Sequence, residues 1–485
     1  MDAHWEFRRR AEARLDAERG RGFNPGGHRF ALVVPSTYPQ GMSGLGALWV
    51  YDRVNALPGW GCERLFAPDP PWLERPWSAW PHAATVTLET RTPLAEFALL
   101  GVSLSAEVEV VALLKMLRAG GVESLRERRG AGKGAGPVIL AGGPLALVAP
   151  GLVGAIADLV FLGDADESLP AYLGRVGEGA GFFEAAAGLA GVWDPALVGL
   201  PPPERVLPAG SFPPAVSRLT TPEGEFGEKI LVEVGRGCSR ACAFCMMSRR
   251  ARPCGMRLFS KDAILAALRG EGQELSDPSD PSYPASVGLV GAAVSDHPHL
   301  VEMVETLAAA GTKVSLSSVR ADRASPGLLT ALVAGGLRTL TLGLDGASER
   351  LRAAIGKQCT VEDFLTACGH AAAAGLNAVK VYCILGYPDE TDDDVAELAD
   401  LLLRVPRSLQ VRLSLSALTP KPGTPLADAP LPREKVLLSR VRLLKKRLGH
   451  VKIQAPSVKD AAFEHAVDHA DAAWVAELLN KIDRT

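Results

Sequence analysis

Four short apolar runs between residues 29 and 175, "RFALVVPS", "EFALLGVSLS", "GPVILAGG" and "ADLVFLGD", are separated by stretches of helical period. Six more, "EKILVEVG", "ASVGLVGA", "TKVSLSS", "LRTLTLGLD", "NAVKVYCILG" and "LQVRLSLSAL", follow the same rule between 229 and 425. Strands with a helix between them cannot pair through a tight turn, and an unbroken apolar run suits a strand covered on both faces, so both series predict parallel sheets. The chain is therefore expected to be α/β. A helical extension (1–28) precedes a Rossmann-like, doubly wound domain (29–175), and a proline-rich linker (176–228) leads to a partial (β/α)6 barrel of TIM type (229–425), followed by a short helical tail (426–485). Helix starts are marked by Ser260, by Pro298, and by two capping boxes, Thr360 with Asp363 and Thr391 with Asp394.

At 485 residues the chain is long enough for two cores, and a net charge of -3 argues against a nucleic acid as main partner. The N-terminal stretch has no apolar centre and no run of about 18 apolar residues follows, so the reading is cytoplasmic, with no membrane contact. Eight cysteines are few for this length, yet Cys238, Cys242 and Cys245 fall in one loop as C-x3-C-x2-C, directly after the first strand of the second series. Loops in that position lie at the face where parallel barrels build active sites. Three thiolates there can bind three irons of a [4Fe-4S] cluster and leave the fourth iron open. Cys254 as a fourth ligand to zinc is the competing reading, although zinc sites usually show paired C-x2-4-C knuckles.

"CSRACAFC", with the aromatic Phe244 before the third cysteine, resembles the signature of the radical SAM superfamily. The resemblance runs on over roughly 229 to 425. It implies Gly291 of "GLVGAAVSD" at the methionine end of S-adenosylmethionine, Ser317 and Arg320 of "VSLSSVRAD" near the ribose, and Asp345 of "LGLDGASERLRAAIGK" where glutamate is commoner. Gly386, Tyr387 and Pro388 of "VYCILGYPDET" would lie against the adenine, and "PKPGTP" also recurs in the superfamily. The implied chemistry is reductive cleavage of S-adenosylmethionine to a 5'-deoxyadenosyl radical. A small-molecule or peptide substrate and an electron donor such as flavodoxin or ferredoxin would be the partners.

The first half resembles the cobalamin-binding domain that precedes the barrel in one radical SAM class, closest to largely uncharacterised cobalamin-domain members that share the "Y-x-x-G-M-S-x-L-G" loop, here Tyr38 to Gly46. The resemblance and the binding edge of a doubly wound sheet together implicate Tyr38, Gly41, Met42, Ser103, Ser105, Gly142, Gly143 and Gly163 in holding cobalamin. Two departures qualify it. No D-x-H-x-x-G supplies a lower ligand to cobalt, and the usual G-E-G-E is Gly163, Asp164, Ala165, Asp166. The implied function is cobalamin-dependent methyl transfer to an unactivated centre. The alternatives are another radical reaction under a cobalamin-like lid, or a non-catalytic cobalamin or redox sensor. A methylthiotransferase needs three more cysteines upstream, where only Cys62 stands. His465 and His469 of "HAVDH" read as an exposed helix face and not as a metal pair.

Overall fold

The computed structural model describes residues 3–130, 136–197, 212–251, 255–269 and 283–484. Two compact units divide the chain: Met1–Glu228 with Ala466–Thr485, and Lys229–His465.

The first unit is built on β1 (His28–Thr37), β2 (Trp60–Ala67), β3 (Leu99–Ser103), β4 (Val138–Gly142), β5 (Leu159–Phe161) and β6 (Val192–Trp193), in the order β2-β1-β3-β4-β5-β6. All pairs are parallel except β5 with β6. Phe30 to Val34 are buried without interruption, as the unbroken apolar run requires of a strand covered on both sides. Helices such as Leu45–Ala56, Glu109–Ala119 and Ser168–Gly177 supply the cover, each with a buried apolar stripe. The last helix, Ala472–Arg484, belongs to this unit. It buries Val475, Leu479 and Ile482, each worth roughly 1.5–3 kcal/mol if fully removed from water. Its Asp483 accepts from Trp77 Nε1 and from Arg118, both at 3.0 Å.

The second unit carries β7 (Ile230–Glu233), a two-residue ribbon of β8 (Gly235–Arg236) with β9 (Arg257–Leu258), then β10 (Ser286–Val290), β11 (Lys313–Leu316), β12 (Thr339–Gly343), β13 (Ala378–Leu385), β14 (Gln410–Ala417) and β15 (Lys452–Gln454). The sheets run β11-β10-β7 and β12-β13-β14-β15, all parallel, and a parallel bridge from Val319 to Leu342 joins them into one partial barrel. β15 is a seventh strand, within the tail expected to be helical; three residues with two of them polar give no apolar run to read. Both capping boxes form as the sequence predicts, and Ser325 and Ser348 cap two further helices. No helix among the described residues is long and apolar enough to cross a membrane.

Candidate active site: a three-thiol loop and its neighbours

β7 ends at Glu233, and the chain turns through the β8–β9 ribbon into the cysteine loop. Gly237 makes that turn possible: its φ is +78°, and a Cβ there would stand 2.2 Å from the Gly255 carbonyl oxygen. The loop is closed by its own main chain, with Ser248 N–H donating to Cys245 O at 3.1 Å and Arg249 N–H to Arg240 O at 2.8 Å. Ala243 N–H donates to Ile355 O at 2.8 Å, which pins the loop to the segment after β12.

Cys242 is buried, and Cys238 and Cys245 are half-buried. Burial pushes the Cys242 thiol up to about 11 against the pull of Lys357, and the other two sulfurs push it the same way. Cys245 is also raised, first by burial and then by Cys238. Backbone N–H groups nevertheless point at sulfur: Arg240 N–H at Cys238 Sγ (3.5 Å), and those of Met247 and Ser248 at Cys245. Crowded thiols with amide donors around them suit iron, which takes them as thiolates and leaves their sulfurs hydrogen-bonded. Among the described residues no three His, Cys, Asp or Glu side chains converge as a single ion needs. Cys254 lies outside the described residues.

The other barrel residues singled out by the sequence sit at the C-terminal ends of the strands. Gly291 follows β10, and a Cβ there would lie 3.1 Å from Gly235 O, so this turn runs against the ribbon that carries the thiol loop. Ser317 follows β11 and is exposed. Arg320 is held by Asp322 at 2.7 Å and lies 3.4 Å from Asp296. Asp345 follows β12 in a left-handed conformation, and its carboxylate is paired with Lys357. Tyr387 donates its hydroxyl to the Asp345 carbonyl at 2.8 Å, and its ring meets the edge of Phe244 with centroids 6.4 Å apart. Phe244, Asp345 and Tyr387 are thus brought together beside the thiols, whereas Pro388 is exposed.

Gly386 sits at φ +99° and directs its N–H to Glu390 Oε2 at 2.6 Å. A Cβ on Gly386 would come within 2.4 Å of Pro432. Burial pushes the Glu390 carboxyl up to about 7, opposed by the Gly386 N–H and by its partner Arg440.

Four residues escaped the sequence reading. Lys357 ends the quoted "LRAAIGK" stretch, far from the cysteine loop in sequence, and only the fold brings its charge to Cys242. Glu390 immediately precedes the Thr391 cap. Asp296 accepts from Ser239 at 3.1 Å and lies 3.7 Å from Arg240, tying the thiol loop to the turn after β10, and no local pattern announces it. Arg440 comes from a helix 50 residues after Glu390, a separation beyond motif reading.

In the first unit the assigned residues fall into two groups. Tyr38, Gly41 and Met42 are buried: the Tyr38 hydroxyl donates to Glu18 at 3.0 Å, Arg14 lies over its ring, and Arg64 donates to Met42 Sδ at 3.2 Å. Arg64 is itself buried between Glu18 and Glu89, at 2.8 and 2.7 Å. Ser103, Ser105, Gly142, Gly143 and Gly163 instead lie at the C-terminal ends of β3, β4 and β5, where Ser105 and Gly143 are exposed and the other three half-buried. Glu109 organises this edge by accepting from Ser36 Oγ (2.7 Å) and from the N–H groups of Ser105 (2.6 Å) and Ala106 (3.2 Å). Asp164, Ala165 and Asp166 are half-buried there. His465 lies in the helix Val458–Asp468 and His469 beyond its end, so the two do not share one helix.

Residues 232–402 match the Radical SAM superfamily, and residues 46–181 match the family described as radical SAM proteins, N-terminal. An uncharacterised protein of Methanocaldococcus jannaschii is 34% identical over 206 residues, which are 42% of this chain and 44% of that protein. Among solved structures, the cobalamin-dependent S-adenosylmethionine radical enzyme OxsB with aqua-cobalamin and S-adenosylmethionine bound is similar, with TM-score 0.52 and 14% identity over 87% of this chain and 58% of that one. OxsB with aqua-cobalamin alone gives TM-score 0.51 over 77% of this chain and 52% of that chain, also at 14% identity. The chain thus spans less than two thirds of either relative's length, and the likeness to OxsB is one of fold. The two family matches together cover more than half of the chain and include the three-thiol loop: the chain belongs to the radical SAM superfamily.

Proposed function

We propose that this protein is a radical SAM enzyme that cleaves S-adenosylmethionine reductively, and that it uses cobalamin to methylate an unactivated centre. The observation that carries the reading is the loop of Cys238, Cys242 and Cys245 inside the matched span, in which the sulfurs of Cys238 and Cys245 face main-chain N–H groups. A [4Fe-4S] cluster held by these thiolates would supply the electron for cleavage. The chain's own part is to bind and to exclude water. Phe244 and Tyr387 wall the site with ring edges, Gly386 shapes the turn against Pro432 that would meet the adenine, and Gly291 packs the turn against Gly235 that would meet the methionine end. Asp345 with Lys357, and Arg320, offer charge of both signs for the amino, carboxylate and hydroxyl groups of S-adenosylmethionine. The reductant would be a flavodoxin or ferredoxin, and a cytoplasmic setting suits a chain whose cysteines stay reduced.

Cobalamin rests on the open edge at Ser103, Ser105, Gly142, Gly143 and Gly163, on the fold shared with OxsB, and on the general place of ligands at parallel-sheet edges. With no D-x-H-x-x-G in the chain, cobalt would lack an imidazole from that motif. One observation favours a second reading, in which the domain is a lid without corrin: Tyr38 and Met42 are already satisfied inside the unit. One experiment separates the two. Full-length protein, reconstituted anaerobically and given a strong reductant, is expected to form 5'-deoxyadenosine and, after hydroxocobalamin is offered and excess removed, to retain about one corrin per chain. Cleavage without corrin retention leaves the lid; no cleavage at all contradicts the enzyme and leaves a sensor.

A further inference from the structure

The strands of the β12-β13-β14-β15 sheet treat their two faces differently. Leu340, Leu342, Val379, Val381 and Leu413 are all buried to within 1% exposure, as on the helix-covered face of a barrel. The alternate residues point the other way, into the barrel interior. Barrel interiors are usually packed with branched apolar side chains. Here the interior positions are polar and open, and the register aligns them into rows. Thr341, Lys380, Arg412 and Lys452 are successive partners across the four strands, and Gly343, Tyr382, Ser414 and Gln454 form the next row.

Three cations on three adjacent strands, about 5 Å apart along the row, repel one another. No carboxylate among the described residues offsets this. Arg412 is bonded to the Gln410 side-chain oxygen at 2.9 Å, Lys380 lies over the Tyr382 ring at 4.6 Å, and among the described residues no carboxylate pairs with Lys380, Arg412 or Lys452. Arg412 and Lys452 are exposed and Lys380 is half-buried. The row lies two residues, about 7 Å along the strands, from Gly343 and Tyr382. That second row borders the site: a Cβ on Gly343 would touch Asp345 and Lys357, and Tyr382 O accepts from Leu344 and Asp345 N–H.

We propose that Lys380, Arg412 and Lys452 form the substrate's anchor, and that the substrate is a small molecule with at least two anionic oxygens on one end, a phosphate ester or a dicarboxylate. This rests on the radical reading for the word substrate, and on the row alone for the anion. A guanidinium flanked by two ammonium groups grips such a group by two-point hydrogen bonding plus charge. Tyr382, Ser414 and Gln454 would hold the neutral part between anchor and site.

The test is equilibrium dialysis of full-length, anaerobically reconstituted protein against two probes at low salt, inorganic pyrophosphate and succinate, with iron measured on the same samples. At least one probe should bind saturably, and the probe that binds identifies phosphate or carboxylate. Lys380→Met, Arg412→Gln and Lys452→Gln should each weaken binding at least tenfold with iron unchanged, and Lys380→Arg should restore most of it. Lys445→Gln, a charge removed from an exposed helix, should change nothing. Failure of both probes to bind, or equal weakening by Lys445→Gln, overturns the anchor. Saturable binding to protein that holds no iron supports the anchor while removing the radical reading, so the two fail separately.

Discussion

β1 and β13 are both central parallel strands, and they differ in one respect that decides what each can do. β1 buries Phe30, Ala31, Leu32, Val33 and Val34 in succession, so both of its faces are spent on the core. β13 buries Val379, Val381, Cys383 and Leu385 but leaves Lys380, Tyr382 and Ile384 accessible, so one face remains for a ligand. On the first sheet, then, β1 leaves no face for a ligand, and the candidate binding positions are strand ends, at Ser103, Ser105, Gly142, Gly143 and Gly163. In the second unit the strand ends and one face of β13 and β14 are accessible. Cysteine follows the same division. Cys62 in β2 is fully buried and stands apart from the other cysteines, with burial holding its thiol well above the usual range, whereas Cys238, Cys242 and Cys245 share one loop in which Cys242 is buried and the other two are half-buried.

The largest effect expected from this contrast is on iron. Replacing Cys238, Cys242 or Cys245 with Ala should abolish iron binding, while Cys62→Ala and Cys254→Ala should leave elemental iron unchanged. Iron loss in the Cys62 variant would erase the distinction between the two thiol classes.

The next effect is on stability. Leu32→Ala removes a buried side chain from a strand covered on both faces and should cost about 2–5 kcal/mol in the denaturant transition of that unit. Tyr382→Ala, on the open barrel face, should cost less than about 1 kcal/mol. Equal costs would show that the barrel face is packed after all.

At the site itself, Gly386→Val would put a branched residue at φ +99° against Pro432. Left-handed strain of about 1–3 kcal/mol should displace the turn proposed to meet the adenine and lower 5'-deoxyadenosine formation at least tenfold, with iron retained. Full turnover would remove Gly386 from the site.

The smallest effect is a pH dependence. Burial alone would raise the Asp394 carboxyl, but bonds from Arg350, Ser348 and Thr391 outweigh it and hold the group below its ordinary 3.8. A carboxyl depressed in the folded state stabilises the fold above its unfolded value, and that contribution is lost as pH falls through the folded value. Asp394→Asn should therefore lower stability by about 1–2 kcal/mol at pH 7 and by progressively less below pH ~4, read from denaturant midpoints. An undiminished difference in acid would mean that packing, not charge, carries the cap.

The parallel sheets were legible because "RFALVVPS" and "VYCILGY" admit few other structures, and the capping boxes because Thr360 and Asp363 act within one turn. Phe244, Asp345 and Tyr387 could be named as motif members, but their mutual contacts could not, since they come from three separate loops. Asp296, Lys357 and Arg440 act only across the fold, at separations no local pattern encodes. β15 was hidden because "KIQ" has one apolar residue. The cationic row was present as alternation in "AVKVYCIL" and "QVRLSLSA", and acquired meaning only when the register set Lys380 beside Arg412 and Lys452.

The central claim is that the three-thiol loop holds a cluster and not a single ion. Counting iron and zinc in anaerobically reconstituted full-length protein tests it most directly. About four irons per chain, with visible absorption bleached by reductant, is the predicted result. One zinc per chain, with no iron and no visible absorption, would contradict it.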